Sequence, residues 1–151
     1  MYCSLTEVVP IKQAIMLTDQ TLVSDIKAII AQSKDNAIRA VDHQRTLMYW
    51  HIGKRIFEEE QEGKDRADYG KYITKYLAKA LEPEFGSGFS RRQIELFRQF
   101  YRVFPIANAL RSQLSWTQYR LLMRLDLDEQ REFYMAETIK NNWTSRQLER
   151  Q

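Results

Sequence analysis

Three arginines, Arg91, Arg98 and Arg102, are spaced by seven and then four residues within the segment "SRRQIELFRQFYRVFP". At roughly 100° per residue on a helix they fall within about 40° of one another. Arg92 and Gln99 flank that stripe, and Glu95 is the one acid on the same helix that interrupts it. Lys71, Lys75 and Lys79 form an i, i+4 row in the segment before, and Arg120 and Arg124 form a shorter one in the segment after. Rows of one sign lack the alternating acids that stabilise a solvated helix surface through i, i+4 pairs. Their chemistry is recognition of a polyanion, with lysine as a point charge on phosphate and arginine as a fork onto phosphate or guanine edges. These ten residues are the candidate DNA contacts. The plain alternative is a solvated basic face. The position of Arg91 and Arg92 favours the first reading, because a helix start carries partial positive charge and a bound phosphate would offset the repulsion.

Other chemistry finds little support. A metal-dependent nuclease site needs clustered carboxylates and a lysine near the attacking water. The nearest acid-x-Lys elements are Asp25-Ile26-Lys27 and Glu62-Gly63-Lys64. Neither has strand context or an upstream acid in a turn, so no catalytic or metal-binding residue is expected. Glu58, Glu59, Glu60 and Glu62 point in different directions around a helix and read as solvated surface. His43 and His51, eight residues apart, cannot chelate one ion as an i, i+4 pair does. Cys3 has no partner and no nearby base. "GSG" at 86–88 is too short for a phosphate loop and reads as a turn. Tyr49, Trp50, Phe97, Phe100, Tyr101, Phe104, Trp116, Tyr119, Phe133 and Tyr134 include candidate base-stacking platforms, but their helical spacing assigns most of them to a core. No cofactor and no small-molecule substrate are expected.

Charge distribution agrees with the arginine and lysine rows. The net charge is +3, yet residues 64–124 hold twelve bases and five acids, while both flanking segments are mildly acidic. A basic middle implies an anionic partner for that part of the chain. The single cysteine fits a reducing compartment. No apolar run of membrane-spanning length and no leader are read from the sequence, so the expected location is the cytoplasm.

Helices are expected throughout, since glycine and proline are scarce and absent between Pro10 and Gly53. Residues 1–18 read as a loose arm and 19–151 as one helical domain. Across 19–62, Leu22, Ile26, Ile30, Ala37, Val41, Met48, Ile52 and Ile56 hold nearly one helical phase. That pattern fits one long helix, or two with a break near 33–36 or 42–44. "FSRRQI", "LSWTQY" and "WTSRQL" each read as a capping box with a hydrophobic staple, capped by Ser90, Ser115 and Thr144 and closed by Gln93, Gln118 and Gln147. Helices over 69–82, 106–112 and 129–142 precede these starts. A further start is expected at Asp126 or Asp128. The local arrangement is helix-turn-helix-like, although "EPEFGSG" is a long turn for that motif.

In order along the chain, "LMYWHIGKRI", "DYGKYI", "FGSGFSRRQIELFRQFY", "LSWTQYRLLMRL" and "REFYMAETIKNNWTSRQLERQ" resemble the amino-terminal domain of the YhcG family of bacterial proteins. The likeness covers residues 22–151. It implies a domain of unknown function that precedes a PD-(D/E)XK-type nuclease domain, so any nuclease activity would belong to sequence beyond residue 151. The reading is therefore an all-α, non-catalytic module that binds duplex DNA and positions a nuclease domain. The alternative is a protein-interaction or homo-oligomerisation module acting through the long helical segment.

Overall fold

The computed structural model describes residues 11–62 and 69–151, and the described residues contain six α-helices and no strand. These are α1 (Ile11–Glu62), α2 (Tyr69–Phe85), α3 (Arg91–Val103), α4 (Trp116–Leu122), α5 (Asp128–Asn141) and α6 (Ser145–Glu149). The all-α expectation holds. The long amino-terminal segment is one helix with no break at 33–36 or 42–44. It also occupies 11–18, which the sequence reads as arm; residues 1–10, including Cys3, lie outside the described residues.

Contacts divide the chain into two units, residues 1–38 and 39–151. In the first, the described residues from Ile11 on form helix alone, and Leu22, Val23, Ile26, Ile29, Ile30 and Ile38 stand 46–64% exposed.

The second unit is organised around α3. Ile94, Phe97 and Phe100 are fully buried on it, with Phe104 just past its end. The remainder of α1 lies along α3 and buries Thr46, Trp50, Gly53 and Ile56 at spacings of four, three and three. Gly53 is there because nothing larger fits: a Cβ on it would lie 2.0 Å from the Phe97 carbonyl oxygen. One turn earlier, Tyr49 stacks on Phe97 with ring centroids 4.4 Å apart. Trp50 Nε1 donates to the Phe104 carbonyl at 2.6 Å, which satisfies an orphaned carbonyl at the end of α3. Phe97 and Ile94 join Ile56, Ile73 and Ala78 in one buried cluster, while Phe100 and Phe104 join Trp50, Leu110, Leu114, Tyr119, Leu122, Met123 and Leu148 in another. Each large side chain so buried contributes about 1.5–3 kcal/mol.

The helix starts follow the capping pattern. At α4 and α6 both halves of the box form, through Ser115 with Gln118 and Thr144 with Gln147. At α3 the Ser90 hydroxyl accepts from the Gln93 amide at 3.4 Å, but the Gln93 side chain does not reach back. Helix α5 starts at Asp128, and Asn142 ends it with φ 52° in the left-handed region.

Three further boundaries differ from expectation. Helix α2 runs through Pro83 to Phe85, although the proline removes an internal hydrogen bond and its ring crowds the Lys79 carbonyl. The helix expected over 106–112 is only a 3-10 turn, Ala107–Ala109. Pro105 disfavours helical geometry at Phe104, and Leu110 is drawn into the core in extended geometry. Helix α4 ends at Leu122, so Arg124 lies in the turn beyond it rather than one helical turn above Arg120.

Candidate nucleic-acid interface

With α3 at the centre of the unit, only Arg91, Arg92, Gln99 and Arg102 along it are exposed. Arg98 is not among them. Its side chain is 18% exposed, and Nη1 donates to Glu60 Oε1 at 2.7 Å and to the Gly70 carbonyl at 3.4 Å. Arg102 Nη2 donates to the other oxygen of the same carboxylate at 2.9 Å. Arg91 Nε donates to Glu95 Oε1 at 3.2 Å. The stripe that looks single-signed on a helical wheel is thus partly neutralised by an acid from another helix, which periodicity along α3 cannot reveal. Glu60, expected on a solvated surface, is 11% exposed. Its neighbours Glu58 and Glu59 pair with Lys54 and Arg55, and Tyr69 donates its hydroxyl to Glu59.

The α2 row is different. Lys71, Lys75 and Lys79 are exposed and make no ion pair among the described residues. The same holds for Arg92 and Arg124, while Arg120 is half-buried. The α2 row lies to one side of the strip that buries Ile73, Thr74 and Ala78, with Lys71 bordering Ala78 around the helix. Its i, i+4 spacing sets three ammonium groups about 6 Å apart along the axis. Of the ten candidates, the exposed basic groups without an ion pair among the described residues are therefore the three lysines on α2, Arg92 on α3, and Arg124, while Gln99 is an exposed neutral donor on α3; Arg91 and Arg102 are exposed but paired.

Of the ten aromatics with candidate stacking roles, Trp50, Phe97, Phe100, Phe104 and Tyr119 are buried, and Tyr49, Tyr101, Trp116 and Tyr134 pack on the core. Phe133 alone stands exposed. Tyr119 is fully buried, and its hydroxyl accepts from the Arg111 amide and donates to the Arg111 carbonyl. Burial pushes its phenol up to about 12, against a smaller opposing effect of the Arg111 hydrogen bond. Solvent-facing aromatics that the sequence reading does not single out include Tyr72 and Tyr76, at 62% and 59% exposure, and Phe85 at 58%. For Tyr76 the signal was present, since it sits off the Ile73–Leu77–Leu81 spacing and between lysines.

Among the described residues no group of three His, Cys, Asp or Glu side chains could hold a metal ion. Asp25 and Lys27 lie exposed on α1, and Lys64 lies outside the described residues. No described helix is long and apolar enough to cross a membrane.

The chain belongs to the DUF1016 N-terminal domain family, whose model matches residues 25–151. It is also similar to an Escherichia coli (strain K12) protein named "Putative nuclease YhcG", with 31% identity over 156 aligned positions. That alignment covers 82% of this chain and 41% of that protein, so the chain spans about two fifths of the relative's length. No solved structure matches it.

Proposed function

We propose that this chain is a non-catalytic DNA-binding module that positions a nuclease domain on duplex DNA, in the cytoplasm. The observation that carries this reading is the row of Lys71, Lys75 and Lys79, exposed and without ion pairs among the described residues. Arg92 and Gln99 on the exposed part of α3, with Arg124, supply further donors. Arg91 and Arg102 can join by exchanging a carboxylate for a phosphate, whereas Arg98 is a structural residue. The relative's name supports a connection with nuclease action, and the resemblance assigns the catalytic carboxylates to a further domain. The test is fluorescence anisotropy with a labelled duplex across a salt series. Weak binding that falls steeply with salt is expected, at about −0.9 in log K per log salt for each phosphate neutralised. Absence of binding at low salt would defeat the proposal.

A second reading rests on the first unit. An isolated helix with Leu22, Val23, Ile26, Ile29, Ile30 and Ile38 exposed gains most of its stability by burying such a face, and a second copy offers the same stripe. Self-association through this segment is compatible with DNA binding by α2.

A further inference from the structure

We infer that the outer face of α2 is a track for single-stranded nucleic acid, with Tyr72 and Tyr76 stacking on unpaired bases while Lys71, Lys75 and Lys79 hold the phosphates. This rests on the nucleic-acid reading above and narrows what this face accepts.

At about 100° per residue, the three lysines and two tyrosines fill one continuous arc of roughly 140°. The tyrosines form a column: Tyr72 and Tyr76 have ring centroids 6.0 Å apart and planes 20° from parallel, and Tyr69 extends it at 6.5 Å and 18°. Neither outer ring serves the core, since each is more than half exposed and their ring contacts are with one another and with Tyr69. Exposed aromatic faces in solvent-facing ranks with exposed lysines are what a single strand needs, a charged track for its backbone and π-faces for its bases.

The tyrosines decide between duplex and single strand. Lysines contact phosphates on either. A duplex already stacks each base between its neighbours and leaves no base face for a ring on the outside of a protein helix. A single strand presents those faces freely. The lysines argue against an apolar protein partner, because the same arc carries three exposed cations that make no ion pair among the described residues.

The experiment compares labelled oligothymidylate, oligouridylate and a mixed-sequence duplex by anisotropy, using wild type, Tyr72→Ala/Tyr76→Ala, Tyr72→Phe/Tyr76→Phe and Lys75→Ala/Lys79→Ala. All substituted positions are exposed, and circular dichroism checks that helix content is kept. Removing both rings is expected to weaken single-strand affinity by roughly 30-fold or more, since each base-on-aromatic stack contributes about 5- to 150-fold. The salt slope and the duplex affinity should stay unchanged. The phenylalanine pair should bind as wild type, and the lysine pair should flatten the slope on every probe. A loss on either oligothymidylate or oligouridylate supports the inference and tells which sugar is accepted. Duplex binding without single-strand binding, or an alanine pair that binds single strands as wild type does, overturns the inference and leaves the duplex reading standing. Binding to no probe overturns both.

Discussion

Glu60, in the last turn of α1, and Arg98, in the middle of α3, form a mostly buried ion pair at 2.7 Å, with side chains 11% and 18% exposed. An acid at a helix C-terminus is disfavoured by the backbone dipole. The guanidinium compensates, and Arg102 takes the second oxygen. One carboxylate thereby ties the end of the long helix to the central one. Glu60→Ala leaves Arg98 largely buried without its counter-charge. Removal of one partner from a fully buried pair costs about 3–5 kcal/mol; with this degree of exposure about 2–3 kcal/mol is expected. Urea unfolding followed by circular dichroism measures it, and a cost near zero would show the pair to be an ordinary surface contact.

The crossing of α1 and α3 depends on Gly53. Its missing Cβ leaves room for the Phe97 carbonyl, and the substituted carbon would stand 2.0 Å from that oxygen. Backbone cannot yield as a flexible side chain does. Gly53→Ala should destabilise the domain by about 3 kcal/mol, at the upper end of overpacking costs, despite alanine's better helix propensity. Gly70→Ala is the contrast: its nearest neighbour is the Arg98 guanidinium at 3.2 Å, and a small effect of either sign is expected. Thermal melts of the two variants separate these outcomes.

Alkaline pH tests the burial of Tyr119. Its folded pKa lies near 12, above the ordinary 10.0, so the native state retains the proton more tightly than the unfolded chain. The contribution is complete below pH 10 and is lost as pH rises from 10 toward 12, at up to about 1.4 kcal/mol per pH unit. Tyr119→Phe should lower stability at neutral pH by breaking the two Arg111 hydrogen bonds, about 1 kcal/mol or more, and should remove this phenol's share of the alkaline slope. Unfolding curves at pH 8, 10 and 11 give both numbers. An unchanged slope would mean that the phenol is solvated.

The exposed stripe of the first unit has its own test. Light scattering over a range of concentrations should reveal a species larger than the monomer, and Ile26→Lys/Ile30→Lys should abolish it without loss of the 39–151 core. A monomer at every concentration would dismiss self-association.

Much of this was legible locally. The caps at Ser115 and Thr144 with their return glutamines, the burial of Phe97 and Phe100, and the Asp128 start follow from residues within a few positions of each other, where periodicity and capping chemistry act. Non-local effects were not legible. Glu60 reads as one acid in a solvated run until α3 brings Arg98 against it. Arg98 and Arg102 share a stripe on the wheel, yet only Arg102 keeps its exposure, because Gly70 and Glu60 close over Arg98. The turn at 107–109 has helix-forming residues but too few of them beside Pro105. Tyr72 and Tyr76 stand exposed because Ile73, Thr74 and Ala78 take the buried side of α2.

The most direct test of polyanion binding by α2 is the affinity for a labelled duplex, measured from low to moderate salt, for wild type and Lys71→Ala/Lys75→Ala/Lys79→Ala. The substitutions remove three exposed ammonium groups with no ion pair among the described residues, so helix content should be unchanged. If the row binds phosphates, affinity falls at low salt and the slope of log K against log salt shrinks by about 0.9 for each phosphate no longer neutralised. If the triple variant matches wild type in affinity and slope at every salt concentration, the lysine row is solvated surface and the α2 interface is wrong.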